Sequence, residues 1–186
     1  MEIYLVRHTT PDVEKGICYG QSDLDLVSTF EEEFTAIKEQ LPDTNNFNII
    51  SSPLKRCTQL AKTLNTTIET DQRLKELNFG DWELKPWDAI PEKEMTPWMT
   101  DFVNVRVPNG ESYIDLSERV LEFFTSLSLT TKNTVIVAHA GVLRAFLAHV
   151  LNVDLKDSFN IKINYGDCFH LKLNNNTYQL ITPIHL

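Results

Sequence analysis

The chain has 186 residues, 42% of them hydrophobic, enough for one folded unit to bury a core without disulfides or a structural metal. Seventeen basic against 26 acidic residues give a formal charge of −9, which repels nucleic acid and anionic membranes, so neither is expected as a partner. Three cysteines without C-x-x-C spacing argue against a disulfide framework or a thiolate zinc site and suit a reducing compartment.

Met1-Glu2 leads straight into the apolar run Ile3–Val6, which reads as a buried strand. No pattern of a targeting segment precedes it and no run approaches membrane-spanning length, so a cytoplasmic protein is expected. Residues 9–27, with Pro11, Gly16, Gly20 and several aspartates, form a long loop of the kind that usually carries function. From Ser28 the spacing Phe30, Phe34, Ile37, Leu41 predicts a helix that stops at Pro42, followed by a strand at Phe47–Ile50. Ser51-Ser52-Pro53 predicts the start of a second helix, with a serine cap and proline at the first helical position, and Leu54, Cys57, Leu60, Ala61 and Leu64 supply its apolar face.

A short extended piece near Ile68 leads to residues 77–110, which hold all three tryptophans and four prolines and read as a lid or insertion with short helices. Leu116, Val120, Phe123, Phe124 and Leu127 predict a helix after Asn109-Gly110, with Ser112 as its cap. A strand at Thr134–Ala138, a helix opened by Gly141 and running to Leu151, and a hairpin of Cys168–Leu173 with Tyr178–Ile181 complete the chain. Strands alternating with helices predict a three-layer α/β/α domain over residues 1–186, its mostly parallel sheet flanked by helices.

Two of these strands deliver a histidine at their carboxyl ends, His8 after Ile3–Val6 and Arg7, and His139 after Val135–Ala138. Ligands bind outside the carboxyl ends of strands in open α/β sheets, which makes this pair a candidate site. A two-histidine metal centre competes, but neither H-E-x-x-H nor a third ligand at helical spacing is present and Arg7 disfavours a cation; no metal or cofactor is expected. Arg56 taken alone is a surface arginine; near a helix start at the same sheet edge, it is an anion ligand. Glu76 lies between apolar neighbours, surroundings in which a carboxyl keeps its proton for general-acid work, and Glu83 in the same stretch competes for that role. Asp23 and Asp25 read as loop or capping residues, and Asn109-Gly110-Glu111-Ser112 as the start of a helix.

Taken together, Leu5-Val6-Arg7-His8-Thr9, Ser52–Ala61 around Arg56, Glu76–Glu83 and Val137-Ala138-His139-Ala140-Gly141 resemble, in order and separation, the motifs of the histidine phosphatase superfamily, the phosphoglycerate mutase-like proteins. The resemblance implies a phosphoric monoester hydrolase in which His8 becomes a phosphohistidine and Glu76 serves as acid and then base. Arg7, Arg56 and His139 would hold the phosphoryl oxygens. Thr9-Thr10-Pro11 and Gly16–Asp23 resemble the α-ribazole phosphatase branch, which acts in cobalamin biosynthesis, and there Tyr19, Gln21 and Ser22 would contact the substrate. The chain departs from many relatives at Thr9, Glu14, Phe30 and Leu84-Lys85-Pro86, so its substrate wall is its own. A broad sugar-phosphate phosphatase, a phosphoglycerate mutase, and an inactive phosphate-binding or interaction module are the alternatives.

Overall fold

In the computed structural model, which describes residues 1–127 and 131–182, the apolar runs become strands of one six-stranded sheet. In chain order the elements are β1 (Glu2–Arg7), α1 (Phe30–Gln40), β2 (Asn48–Ser51), α2 (Lys55–Leu64), β3 (Glu69–Thr70), α3 (Glu92–Thr100), α4 (Tyr113–Leu127), β4 (Thr134–Ala138), α5 (Ala140–Leu151), β5 (Cys168–Asn174) and β6 (Thr177–Leu180). The strand order is β3-β2-β4-β1-β5-β6. β3, β2, β4 and β1 run parallel, and β5 pairs antiparallel with both β1 and β6. The mostly parallel α/β sheet expected from the sequence is therefore present, with an antiparallel hairpin at one edge.

Alternation along the central strands splits the core in two. Ile3 and Leu5 of β1 with Ile136 and Ala138 of β4 pack against α4 and α5. Val6, Val135 and Val137 pack on the opposite face against Phe34 and Ile37 of α1 and Cys57, Leu60 and Ala61 of α2. Because side chains of successive strand residues point to opposite faces, a run buried on both sides must be continuously apolar, which is why these strands show no polar alternation. Each such side chain, fully removed from water, contributes about 1.5–3 kcal/mol.

Residues 77–110 fold over one end of the sheet around a small core of their own, where Cys18, Trp82, Ile90 and Val107 are buried and Trp87, Met95 and Trp98 pack against them. The indole of Trp82 donates to Glu94 Oε2 of α3 (3.0 Å). At the other end of the chain Asn175 and Asn176 both adopt positive φ (47° and 61°), as the tight turn joining β5 to β6 requires.

Two helix starts differ in how local their signals are. Ser112 caps α4 as expected, its hydroxyl accepting from Asp115 N (3.4 Å) while Asp115 Oδ2 accepts from Ser112 N (2.8 Å). α2, by contrast, begins at Lys55, two residues beyond Pro53, and its first N–H donates to Asp23 Oδ1 (2.7 Å) from the long loop. Ser52, the expected cap, instead places its hydroxyl 2.8 Å from His139 Nε2. The start of α2 is thus set by a residue 32 positions away, which no local signal reports.

Candidate active site

The carboxyl ends of β1, β4 and β2 lie side by side, because Arg7 is in register with Ala138 and Ser51 with Val137. His8, His139 and Ser52 therefore emerge together. The two imidazoles meet edge to face with centroids 5.0 Å apart, and both are buried.

His8 Nδ1 is 2.6 Å from the carbonyl oxygen of Thr9. A carbonyl only accepts, so Nδ1 carries the hydrogen and the neutral ring keeps its lone pair on Nε2. Arg56 Nε donates to that Nε2 at 3.3 Å. Burial, then the charge of Arg56, and more weakly that of Arg7, hold the His8 pKa well below 6.5 against the opposing pull of the Thr9 bond. His139 is pushed the same way, by burial first and then by Arg56, His8 and Arg7. These surroundings keep both imidazoles neutral.

Arg56 comes from the first turn of α2 and is fully buried, not the surface residue its sequence context permits. Its remaining nitrogens donate to the carbonyls of Ser22 (2.8 Å) and Gly20 (2.6 Å). Arg7 donates to Ile163 O (2.8 Å) and lies 3.7 Å from the centroid of the Tyr165 ring. Neither guanidinium is paired with a carboxylate among the described residues, so both keep their charge for an anion.

Glu76 lines the same cavity as His8 and Arg7. Its carboxylate accepts from the N–H groups of Leu77 (2.9 Å) and Gly141 (3.1 Å), the latter in the first turn of α5. That approach needs a glycine, since a β-carbon at position 141 would stand 2.2 Å from Glu76 Oε1. Arg119 of α4 fixes the Glu76 backbone by donating to the carbonyls of Arg73, Lys75 and Glu76 (2.7, 2.6 and 2.9 Å), and Glu111 in turn holds Arg119. Glu111, which in sequence only marks a helix start, thus belongs to the support of Glu76.

Glu83 has a different place. Its carboxylate accepts from the backbone of Gly20, Gln21 and Ser22, from the Ser22 hydroxyl and from Phe79 N. Burial pushes its pKa up, but these bonds outweigh burial and the group stays below its ordinary value. Gly20 is pressed against this stretch so closely that a β-carbon would lie 1.8 Å from Leu77 O. Gln21 and Ser22 are spent in the same assembly, Gln21 donating to Glu76 O (3.0 Å) and Ser22 to Glu83. Of the three loop residues expected to face the substrate, only Tyr19 lines the cavity; its hydroxyl is 2.5 Å from that of Tyr165.

The cavity measures about 280 Å³ and is lined by His8, Arg7 and Glu76 together with an aromatic wall that includes Phe79, Trp87, Trp98, Phe102 and Phe159. Arg144 also lines it. In sequence the tryptophans mark an insertion but not a wall. Arg144 does carry a sequence signal, as a lone charge in the otherwise apolar run Val142–Leu147, one turn beyond Gly141. Among the described residues no group of three or more His, Cys, Asp or Glu is placed to hold a metal ion.

The family model for the histidine phosphatase superfamily (branch 1) matches residues 3–183. The chain belongs to this superfamily. It is a phosphatase-type enzyme whose substrates are phosphate esters of small molecules. A Hydrogenobacter thermophilus protein provisionally named phosphoserine phosphatase 2 is 30% identical over 171 residues, spanning 87% of this chain and 84% of that one. A Yersinia pestis protein provisionally named phosphoglycerate mutase GpmB is 32% identical over 167 residues, 82% of this chain and 76% of its own. Among solved structures, the α-ribazole phosphatase of Shigella flexneri superposes with a TM-score of 0.87 at 24% identity, covering 97% of this chain and 94% of that one. An Escherichia coli K-12 protein provisionally described as an α-ribazole-5′-P phosphatase gives a TM-score of 0.89 at 22% identity, covering 100% and 96%. At such identities the superpositions establish a shared fold.

Proposed function

We propose that this histidine phosphatase hydrolyses phosphomonoesters through a phosphohistidine on His8, and that its substrate is α-ribazole 5′-phosphate. The observation that carries the chemistry is the His8 tautomer, with Nδ1 tied to the Thr9 carbonyl and Nε2 left with its lone pair facing the Arg56 guanidinium. A phosphoryl group entering here takes over the Arg56 Nε donor, and Nε2 attacks phosphorus. The ester P–O bond breaks, Glu76 gives its proton to the departing oxygen, and the phosphoryl group rests on His8. Water then attacks, Glu76 recovers a proton from it, the P–N bond breaks and inorganic phosphate leaves.

Arg7, Arg56 and His139 share the three non-bridging oxygens, a fixed positive cradle of the kind that phosphoryl transfer needs more than covalent help. Ser52 suits both states of His139, since its hydroxyl can donate to a neutral Nε2 and accept from a protonated one. Gln21 and Ser22 act as scaffold, holding Glu76 and Arg56 in place.

The relatives' names point to phosphoserine, phosphoglycerate and α-ribazole phosphate as substrates. The aromatic wall favours the last, because the flat heteroaromatic base carried by its ribosyl alcohol buries against Trp87, Trp98 and Phe159 and a small polar alcohol does not. The test is a panel of phosphomonoesters with wild type and His8→Ala. Preference for α-ribazole phosphate, with at least about a 10³-fold loss in the variant, is expected. Equal turnover of ordinary sugar phosphates removes the substrate assignment, phosphoglycerate interconversion makes the enzyme a mutase, and phosphate release undiminished in the variant removes His8 as nucleophile.

A further inference from the structure

The leaving-group end of the cavity is walled by aromatic rings, yet it holds hydrogen-bond donors without acceptors. Arg144 rises from α5 into this wall. Its Nε donates to Ile161 O (3.3 Å), and its guanidinium carbon lies 4.6 Å from the centroid of the Phe159 ring. The two terminal nitrogens have no hydrogen-bond partner, and no carboxylate forms an ion pair with Arg144, among the described residues. Across the wall Trp98 Nε1 is buried and likewise has no acceptor.

An unsatisfied buried N–H such as that of Trp98 is costly, and the half-buried Arg144 keeps two terminal nitrogens free to meet an acceptor. Two cations, Arg7 and Arg56, already stand beside His8, so a third is not needed to neutralise the phosphate. Arg144 stands beside Phe159, whose ring meets those of Phe102 and Tyr113 (centroids 5.1 and 6.0 Å), and so among the rings against which the alcohol, not the phosphate, would lie. The Nε bond and the ring contact hold the planar fork in one orientation, which limits the entropy lost when an acceptor arrives.

We infer that Arg144 determines specificity in this reaction by donating to a hydrogen-bond acceptor on the leaving alcohol, so that the preferred substrates are phosphomonoesters whose alcohol carries a flat aromatic ring system with a ring nitrogen or a carboxylate remote from the phosphate. The inference rests on the phosphatase reading above and sharpens it, since a benzimidazole ring offers one such nitrogen. It also separates two aromatic esters of equal shape, which the apolar wall alone cannot do.

The test compares naphthyl, quinolinyl and carboxynaphthyl phosphates, which share one bicyclic shape and carry no acceptor, a ring nitrogen and a carboxylate respectively. In wild type, kcat/KM for at least one acceptor-bearing ester exceeds that for the naphthyl ester, mainly through KM, and which one it is tells a neutral acceptor from an anionic one. In Arg144→Met the ratio between them falls by about ten- to a hundredfold, the loss expected for a hydrogen bond to a charged group. Comparing ratios cancels differences among the leaving groups and any general loss of activity from a merely structural role. A ratio unchanged by the substitution overturns the inference. Should the methionine variant fail to fold, competitive inhibition of wild type by the three free alcohols decides the same question: stronger inhibition by an acceptor-bearing alcohol supports the inference, and equal inhibition by all three overturns it. Naphthyl ester hydrolysis undiminished in His8→Ala would instead sink the phosphohistidine reading, and no hydrolysis of any of the three esters by wild type would sink the phosphatase reading for such substrates, both independently of Arg144.

Discussion

At the scale of single residues, the proposed chemistry depends on two histidines that the fold keeps neutral for the same reasons, burial and adjacent guanidinium charge. For His8 neutrality is what the proposed role of nucleophile requires. For His139 it is a starting point, because a phosphate dianion beside the ring opposes the arginines and favours protonation. Binding of inorganic phosphate should therefore take up a proton. The sign follows from linkage: His139 has a low pKa without the anion and a higher one with it, so affinity falls as pH rises between the two values. Calorimetric titrations in buffers of different ionisation enthalpy should give net proton uptake that disappears in His139→Asn. The sequence already indicated that the two histidines follow strand ends at one sheet edge, but not the burial that decides their charge.

At the scale of elements, the site is made where a strand end, a helix start and a loop meet. Gly141 in the first turn of α5 brings a backbone N–H to Glu76, and its missing side chain makes the room. Alanine favours a helix over glycine by up to about 1 kcal/mol, so Gly141→Ala should leave thermal stability unchanged or slightly raised. The same substitution drives a methyl into Glu76 Oε1 and should lower kcat about a hundredfold, the usual cost of a misplacement of about 1 Å. Thermal melts and steady-state kinetics on one preparation check both halves, and parallel loss of stability and activity would contradict the argument. Element ends are also where reading from sequence fell short. The strands were legible because burial on both faces leaves only apolar residues. The start of α2 was not, since its cap is Asp23 and its expected cap serves His139.

At the scale of the whole molecule, burying two neutral histidines ties stability to pH. Both have folded pKa values well below the ordinary 6.5, so at mildly acidic pH the unfolded chain binds protons that the native one does not. Their contribution is fully present above about pH 6.5 and is lost as pH falls below it towards the folded values, at up to about 1.4 kcal/mol per pH unit for each histidine. Asp71, Asp115 and Glu83, whose pKa values are lowered from 3.8, 3.8 and 4.5, add a further loss only at more acidic pH. Urea midpoints measured from pH 8 to pH 5 should fall steadily, and the slope should be shallower in His139→Asn.

The sequence by itself determined the α/β architecture and the residues that meet at the sheet edge. Apolar periodicity is a local property, and His8, Arg56, Glu76 and His139 each sit in a short stretch whose composition reports its place. Only the tertiary structure put Glu76 on the cavity and Glu83 in the support of the loop, engaged Gln21 and Ser22 in that same support, and set Arg144 on the cavity beside the Phe159 ring. Those outcomes depend on which groups from distant parts of the chain compete for the same hydrogen bonds. That competition is settled by packing, and a one-dimensional pattern carries no record of it.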